Sequence, residues 1–163
     1  MNDDENLPPI PKPGQNLKAR PSRARYDAVK RVLDVKWRRR APQPERMMRE
    51  AVDALWDAFE ASPWTWCGFW LLQPDGRALQ PGPARPEAAP SAVALEGLLG
   101  EALAGAPRRA EGRIAVGFLD RANKPWAVFE ARATAPFEDM DARWLEQLLK
   151  VFRDVERPAP PPL

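Results

Sequence analysis

Prolines divide this chain into short segments, because a proline has no amide hydrogen to donate inside a helix or a sheet. The 163-residue sequence contains 20 of them. Many lie in the first 21 residues and in the last seven, where large apolar side chains are few. We therefore expect a disordered proline-rich tail at 1–22 and a second proline-rich tail at 157–163, with the regular structure between them.

The segment after the first tail has the periodicity of an amphipathic helix. Its large apolar residues recur at intervals of three and four, which places them on one helix face. The formal net charge of the protein is only +2, but residues 1–45 carry 11 Lys and Arg against 6 Asp and Glu. We predict a basic helix over 23–41 whose interaction residues are Tyr26, Leu33, Trp37, Arg38, Arg39 and Arg40.

Two interpretations of this basic helix remain open. It could pack on the domain or on a second copy through Tyr26, Val29, Leu33 and Trp37, or it could bind nucleic acid or anionic lipid through its arginines. We favour packing, because the apolar stripe is regular and no aromatic residues interleave the arginine run to stack on bases.

The pattern over 44–156 predicts one α+β domain, an antiparallel sheet with helices packed on it. Helical spacing and capping signals alternate with short apolar runs and turn residues. We predict helices at Pro44–Ala61, at Ala92–Ala104 after a Ser91 cap, and at Glu138–Glu156. We predict strands at Trp64–Gln73, Arg77–Gln80, Arg113–Leu119 and Trp126–Ala133, with a loop at Pro81–Pro90.

The composition excludes several kinds of site. Histidine is absent and Cys67 is the single cysteine, which removes most zinc sites, the usual Ser/His and Cys/His nucleophile pairs and any internal disulfide. We expect no cofactor and no metal. No apolar run is long enough to span a bilayer, and the acidic, proline-rich start lacks the apolar region of a signal peptide. We expect a cytoplasmic protein.

Four segments carry a resemblance to a known family. Trp64–Leu72 is similar to the W-x-G-F-Y-L strand of GAF-fold free methionine-(R)-sulfoxide reductases, and Leu79–Pro83 to their L-x-L-G-P-F segment. Gly97–Gly100 lies where they have G-V-C-G, and Pro136–Asp141 resembles their R-F-D-E-E-D ending. The resemblance implies a GAF-like fold of the profilin-like class, and dimer contacts through the terminal helices.

The departures from that family concern its chemistry. Those reductases attack the sulfoxide with a thiolate and resolve the product with further cysteines. The resemblance aligns the helix-start cysteine with Leu99 and the loop cysteine with Ala88 or Ala89, and neither leucine nor alanine has a sulfur atom.

The acidic residues of the family's pocket have also changed. Its three acids align with Arg113, Glu130 and Arg132, so two of the three have become arginine. In the family these acids hold a cationic ammonium group and a sulfoxide. Two arginines in their place favour a small anionic ligand instead.

Three residues of the first strand remain to be interpreted. Trp66 and Trp70 are candidates for the roof of a ligand pocket, as the family's aromatic residues are. For Trp70 we favour plain core packing, and for Trp66 both interpretations stand. Cys67 is best interpreted as a small buried hydrophobic residue, since no histidine is present to activate its thiol.

The function that these observations favour is a non-catalytic small-molecule-binding or protein-interaction module of the sensory or regulatory kind. One alternative is a reductase-like enzyme that uses Cys67. Another keeps the element order but changes the family, to a roadblock-type or PAS-like regulatory domain.

The first tail gives a prediction about folding. Because residues 1–21 offer almost no apolar surface to bury, a chain that begins at Ser22 should melt within a few degrees of the full-length protein. Thermal unfolding of the two chains side by side measures the difference. A large loss of melting temperature would mean that the tail packs on the core.

Overall fold

A six-stranded antiparallel sheet with helices on both faces organises the chain. The computed structural model describes residues 22–38, 43–59, 63–104 and 107–153. Within these ranges no helix is long and apolar enough to cross a membrane. The elements are helices α1 (Ser22–Trp37), α2 (Pro44–Phe59), α3 (Gly97–Leu103) and α4 (Asp139–Leu148), a 3-10 helix (Lys150–Phe152), and strands β1 (Trp64–Leu72), β2 (Ala78–Arg85), β3 (Val93–Ala94), β4 (Arg108–Ala110), β5 (Arg113–Leu119) and β6 (Pro125–Ala133).

The strand order is β3-β2-β1-β6-β5-β4, and every neighbouring pair is antiparallel. β1 and β6 lie at the centre, with Phe69 opposite Phe129 and Gly68 opposite Glu130. Because side chains alternate between the faces of a strand, Phe69 and Phe129 point to one face, and Trp70 and Glu130 to the other. The α+β class predicted from the sequence is confirmed.

The first face of the sheet carries the larger core, which α1, α2 and α4 cover. Pro44 stands at the first position of α2, where its missing amide hydrogen costs no hydrogen bond. The apolar stripe of α2 is buried here: Met48, Val52, Leu55 and Phe59.

Helix α1 packs onto this core through its apolar stripe. Tyr26, Val29 and Leu33 are buried, and the half-buried Trp37 meets the ring of Phe152 edge-on at 6.0 Å. The ring of Tyr26 lies 4.7 Å from that of Phe59. α1 is therefore part of the same hydrophobic core as the helices that follow it.

A buried hydrogen bond connects α1 to α4. The Tyr26 hydroxyl donates to Asp141 Oδ1 at 2.7 Å, while Asp141 Oδ2 accepts the backbone N–H of Glu138 at 2.7 Å and completes a capping box. Burial and the Asp141 carboxylate together raise the pKa of Tyr26 well above its usual value. The tyrosine therefore remains a hydrogen-bond donor throughout the neutral range.

The charges of α1 differ from the sequence expectation in one respect. Arg25, expected among the exposed basic residues, is buried with its guanidinium 5.4 Å from the centre of the Phe59 ring. Burial lowers its pKa from the usual value. Lys30 and Arg31 form ion pairs with Asp34 and Asp27 one turn away, which neutralises part of the basic surface.

The predicted end of this helix is only partly described. α1 ends at Trp37, and Arg38 lies exposed in the turn that follows. Arg39 and Arg40, which the sequence placed in the helix, lie outside the described residues, as do residues 1–21 and 157–163 of the two proline-rich tails. Ser22, predicted as the end of the first tail, is instead the first residue of α1.

Two predictions for the middle of the chain are wrong in part. The loop predicted at Pro81–Pro90 begins only after Arg85, because β2 continues through Pro81 and Pro83. β3 pairs with β2 only at Ala78 and Leu79, so beyond these residues the outer side of β2 is an edge among the described strands. A proline is tolerated at such an edge because its missing amide hydrogen breaks no ladder bond.

The helix predicted at Ala92–Ala104 starts five residues later. Val93, inside the predicted helix, instead pairs with Leu79 in β3 and is 36% exposed. Gly97 has a φ of +61°, a left-handed conformation that a continuous helix does not allow. Leu99 and Leu103 are buried as expected.

The last helix is also shorter than predicted. Glu138 precedes α4 as its cap, and the α-helix ends at Leu148 before the 3-10 turn. Leu145, Leu148 and Phe152 are buried, as the stripe predicted. Residues 154–156 lie outside the described ranges. The segment between α3 and β5 contains the short strand β4.

The bond between α1 and α4 gives a prediction about stability. Tyr26→Phe keeps the ring but leaves Asp141 Oδ1 without its buried donor, which should lower the free energy of unfolding by about 1 to 2 kcal/mol. Urea denaturation checks this. Lys124→Ala is the control, because Lys124 is exposed in the turn between β5 and β6 and its loss should change stability by less than about 0.5 kcal/mol. Equal effects in both variants would contradict the proposed importance of the hydroxyl.

Candidate functional site

The second face of the sheet carries a polar cluster next to a smaller core. Trp66 and Trp70 come from β1, Glu130 and Arg132 from β6, and Arg113 from β5. Arg132 lies opposite both Trp66 and Arg113 in the strand register, and Glu130 lies opposite Gly68 and Ala115. Alternation along three neighbouring strands therefore places all five side chains on one face.

Glu130 is the centre of this cluster, and its side chain is fully buried. Its Oε1 accepts the indole N–H of Trp70 at 3.0 Å and an N–H of Arg132 at 3.3 Å. Its Oε2 accepts Nε–H of Arg113 at 2.6 Å and Nε–H of Arg132 at 3.2 Å. Four N–H donors thus replace the hydrogen bonds to water that the carboxylate loses on burial.

The two arginines are only partly used by Glu130. Their side chains remain 38% exposed for Arg113 and 44% for Arg132. Among the described residues, Glu130 is the only carboxylate in an ion pair with either of them. Two positive groups share one negative group, so the cluster keeps an excess of one positive charge at its exposed side.

Trp66 borders the cluster and fixes one arginine. The Arg132 guanidinium lies 4.6 Å from the centre of the Trp66 ring, within cation–π range. The Trp66 indole N–H donates to the backbone carbonyl of Glu87 at 3.0 Å, which ties the segment after β2 to this ring. Trp70, with its ring 6.0 Å away, is buried. Trp70 therefore packs in the core, whereas Trp66 is half-buried.

Helix α3 covers the rest of this face. Leu99, Ala102 and Leu103 pack in a core cluster with Ala115 and Val128. Gly117 permits the close approach, since a Cβ there would lie 2.8 Å from the Ala102 carbonyl carbon. α3 has only seven residues, so it covers the apolar part of the face while the arginines remain partly exposed.

Cys67 lies on the opposite face of the sheet from this cluster. Its side chain is buried in the larger core, where Sγ contacts the Val52 carbonyl at 3.9 Å. Burial raises the pKa of the thiol well above its usual value, and the nearby Asp53 carboxylate adds to this although Arg85 opposes it. The thiolate that nucleophilic attack requires is therefore strongly disfavoured.

Surface clefts occur elsewhere on the molecule. The largest of three has a volume of about 660 Å³ and lies between the start of α2, the end of β1 and β2. A cleft of about 510 Å³ lies beside Trp144, and one of about 220 Å³ lies between α1 and the end of α4. The five clustered residues line none of these three.

The sequence-predicted site residues fall into two groups in the structure. Trp66, Trp70, Arg113, Glu130 and Arg132 meet in one cluster; that they bind a ligand stays a prediction. The helix residues Tyr26, Leu33 and Trp37 lie on the other face of the sheet. Sequence reasoning missed the Glu87 carbonyl that holds Trp66, because no local pattern marks a backbone acceptor 21 residues away.

Comparison with known proteins supports a fold assignment. No protein-family model matches the sequence, and no curated protein sequence matches it. A solved structure described as the structure of the GAF domain superposes with a TM-score of 0.70 at 14% identity, over 87% of this chain and 97% of that one. The fold is that of a GAF domain.

Two further solved structures of this fold carry different descriptions, one of a reductase and one of a putative sensor. The free methionine-R-sulfoxide reductase of Neisseria meningitidis, solved with its substrate, has a TM-score of 0.67 at 18% identity, over 80% of this chain and 87% of that one. A putative GAF sensor protein of Burkholderia vietnamiensis has a TM-score of 0.66 at 17% identity, over 86% and 90%. The TM-scores establish the GAF fold. Because the identities are this low, the chemistry has to be argued from the residues of this chain.

The buried carboxylate of Glu130 gives a prediction. Glu130→Gln removes the negative charge that the guanidinium groups of Arg113 and Arg132 share, and should lower the free energy of unfolding by about 2 to 3 kcal/mol, since both arginines keep some solvent. Chemical denaturation measures it. Glu101→Gln, on the exposed side of α3, should change it by less than about 0.5 kcal/mol. If Glu130→Gln is as stable as the wild type, then solvent, and not Glu130, compensates the positive charges of the two arginines.

Proposed function

We propose that this chain is a non-catalytic, cytoplasmic GAF-like module that binds a small anionic ligand at Arg113 and Arg132. The observation that carries the proposal is the sharing of one buried carboxylate by two partly exposed guanidinium groups. The excess positive charge faces solvent at the end of the sheet that α3 does not cover. A carboxylate or phosphate group would complete the charge balance there.

The aromatic residue beside the arginines supports a narrower ligand class. The ring of Trp66 is half-buried and its position is fixed at both ends, by the Glu87 carbonyl and by Arg132. A rigid indole next to a guanidinium offers a flat apolar surface adjoining an anion site. The ligand that fits both is a small molecule with one acidic group and a planar or apolar part.

A binding role is favoured over the reductase alternative by the position of the thiol. Cys67 is fully buried on the opposite face from the arginine cluster, and its pKa is raised. Leu99, which the resemblance aligned with a family cysteine, packs in the smaller core. No described thiol therefore reaches the site at which a ligand would bind.

We further propose that α1 contacts a second copy of the chain. Its inner stripe is used in its own core, but Val32 and Val35 are 44% and 66% exposed on the outer side. This arrangement supports the dimer that the family resemblance implied. Polyanion binding by α1 is less favoured, since Lys30 and Arg31 are already paired with acids on the same helix.

Binding of an anion is tested by comparing matched ligands. Native mass spectrometry of the purified protein should reveal a bound acidic small molecule and report the oligomeric state together. In titrations, planar carboxylates should bind while the corresponding amines do not. Arg113→Gln and Arg132→Gln should each weaken carboxylate binding about tenfold or more, since each removes a charged hydrogen bond.

Arg143→Gln serves as the control for loss of positive charge, because Arg143 is exposed on α4 and away from the cluster. This variant should bind as the wild type does. The proposal fails if amines bind as well as carboxylates, if all three variants lose affinity equally, or if no acidic molecule binds at millimolar concentration.

A further inference from the structure

A second surface feature has no part in the proposed anion site. It is the cleft of about 660 Å³ on the α2 side of the sheet, which we call the α2–β2 cleft. Its walls are mainly apolar and rich in proline, and at its rim stand Glu45 and Arg49, whose side chains are 72% and 62% exposed. The apolar wall includes Met48, Leu71, Leu72, Pro81, Pro83 and Trp126.

The chemistry of this cleft is that of a surface for extended proline-rich chains. Such segments form polyproline II helices, which bind between aromatic and proline side chains at little entropic cost. Trp126 lines the cleft but is only 4% exposed, and its indole N–H is donated to the Phe152 carbonyl at 3.1 Å. A flat apolar ligand surface fits this wall better than a polar one.

The same hydrogen bond shows where the chain leaves the core. Phe152 is held against Trp126, and Arg153 follows it in an extended conformation with φ −87° and ψ 152°. The sequence continues with ten residues, 154–163, of which Pro158, Pro160, Pro161 and Pro162 are prolines. As polyproline II these ten would reach about 30 Å, ample for a cleft whose wall includes Trp126.

We propose that residues 157–163 bind in the α2–β2 cleft of their own chain. Attachment close to the cleft gives the segment a high effective concentration there. Glu45 and Arg49 at the rim form an ion pair with each other at 3.5 Å, so the match between segment and cleft depends on the prolines and the apolar wall. The bound segment covers the edge of β2, which the described strands leave unpaired beyond Leu79.

The proline-rich segment before α1 is a weaker candidate for the same cleft. It joins the domain at Ser22, and α1 runs for 16 residues from there to Trp37, a distance of about 24 Å along the helix. Trp37 contacts Phe152, so the segment after Arg153 begins nearer to Trp126 than the segment before Ser22.

Backbone and indole NMR spectra of the isotope-labelled protein test the proposal. Removal of residues 157–163 should shift the signals of Leu72, Gln80, Gly82 and the Trp126 indole, and leave those of the anion cluster unchanged. A matched variant with all four tail prolines replaced by serine should give the truncated spectrum, although its length is unchanged. Adding a peptide of residues 156–163 to the truncated chain should move the signals back.

A spin label distinguishes the chain's own segment from that of a second copy. Leu163→Cys supplies the attachment site, because the buried Cys67 thiol is inaccessible to the reagent. The labelled chain should lose most of the intensity of its Gly82 signal, whereas unlabelled isotope-enriched chain mixed with it should lose none. Loss of intensity in the mixture, cleft signals that respond to deletion of residues 1–21 instead, or no response to the truncation would each overturn the proposal.

Discussion

The antiparallel pairing of β1 with β6 determines what each face of the sheet can carry. With Phe69 opposite Phe129 and Gly68 opposite Glu130, the aromatic side chains of both strands reach the helices α1, α2 and α4. The intervening positions deliver tryptophans, a glutamate and an arginine to the other face. A shift of one residue would reverse this assignment and bury Arg132 and Glu130 in the larger core. The register is therefore strongly specified by the cost of burying charge.

Glu130 accounts for the character of the second face. A carboxylate without solvent requires donors, and here they come from Trp70, Arg113 and Arg132 on all three neighbouring strands. The carboxylate thus holds the arginines in fixed positions while it leaves part of each exposed. Preorganised guanidinium groups cost little entropy when they bind an anion. The buried charge is, in this view, a structural support for the proposed anion site.

The connection of α1 to the rest of the domain depends on a contact of the same kind. Tyr26 and Asp141 are separated by 115 residues, and their hydrogen bond joins the first described helix to the start of the last. Asp141 also caps α4, so one side chain orders the helix terminus and accepts the tyrosine. Around this bond the rings of Phe59, Trp64 and Trp144 pack against Tyr26.

The positions of most elements and the inventory of chemical groups could be predicted from the amino acids alone. Periodic apolar residues located the buried faces of α1, α2 and α4, because such patterns depend only on local geometry. The absence of histidine and the presence of a single cysteine are also evident from the sequence. The family resemblance placed Arg113, Glu130 and Arg132 in one pocket region, since aligned positions share a sheet register.

Which of these groups come into contact depends on the tertiary fold. The ion pair of Arg113 with Glu130 joins residues 17 apart, and the hydrogen bond of Trp70 to Glu130 joins residues 60 apart. No local pattern encodes such contacts. Strand pairing also extended β2 through Pro81 and Pro83, and α3 starts only at Gly97. The side chain of Arg25 is buried next to the ring of Phe59. In each case a contact with a neighbouring segment outweighed the structural preference of the local sequence.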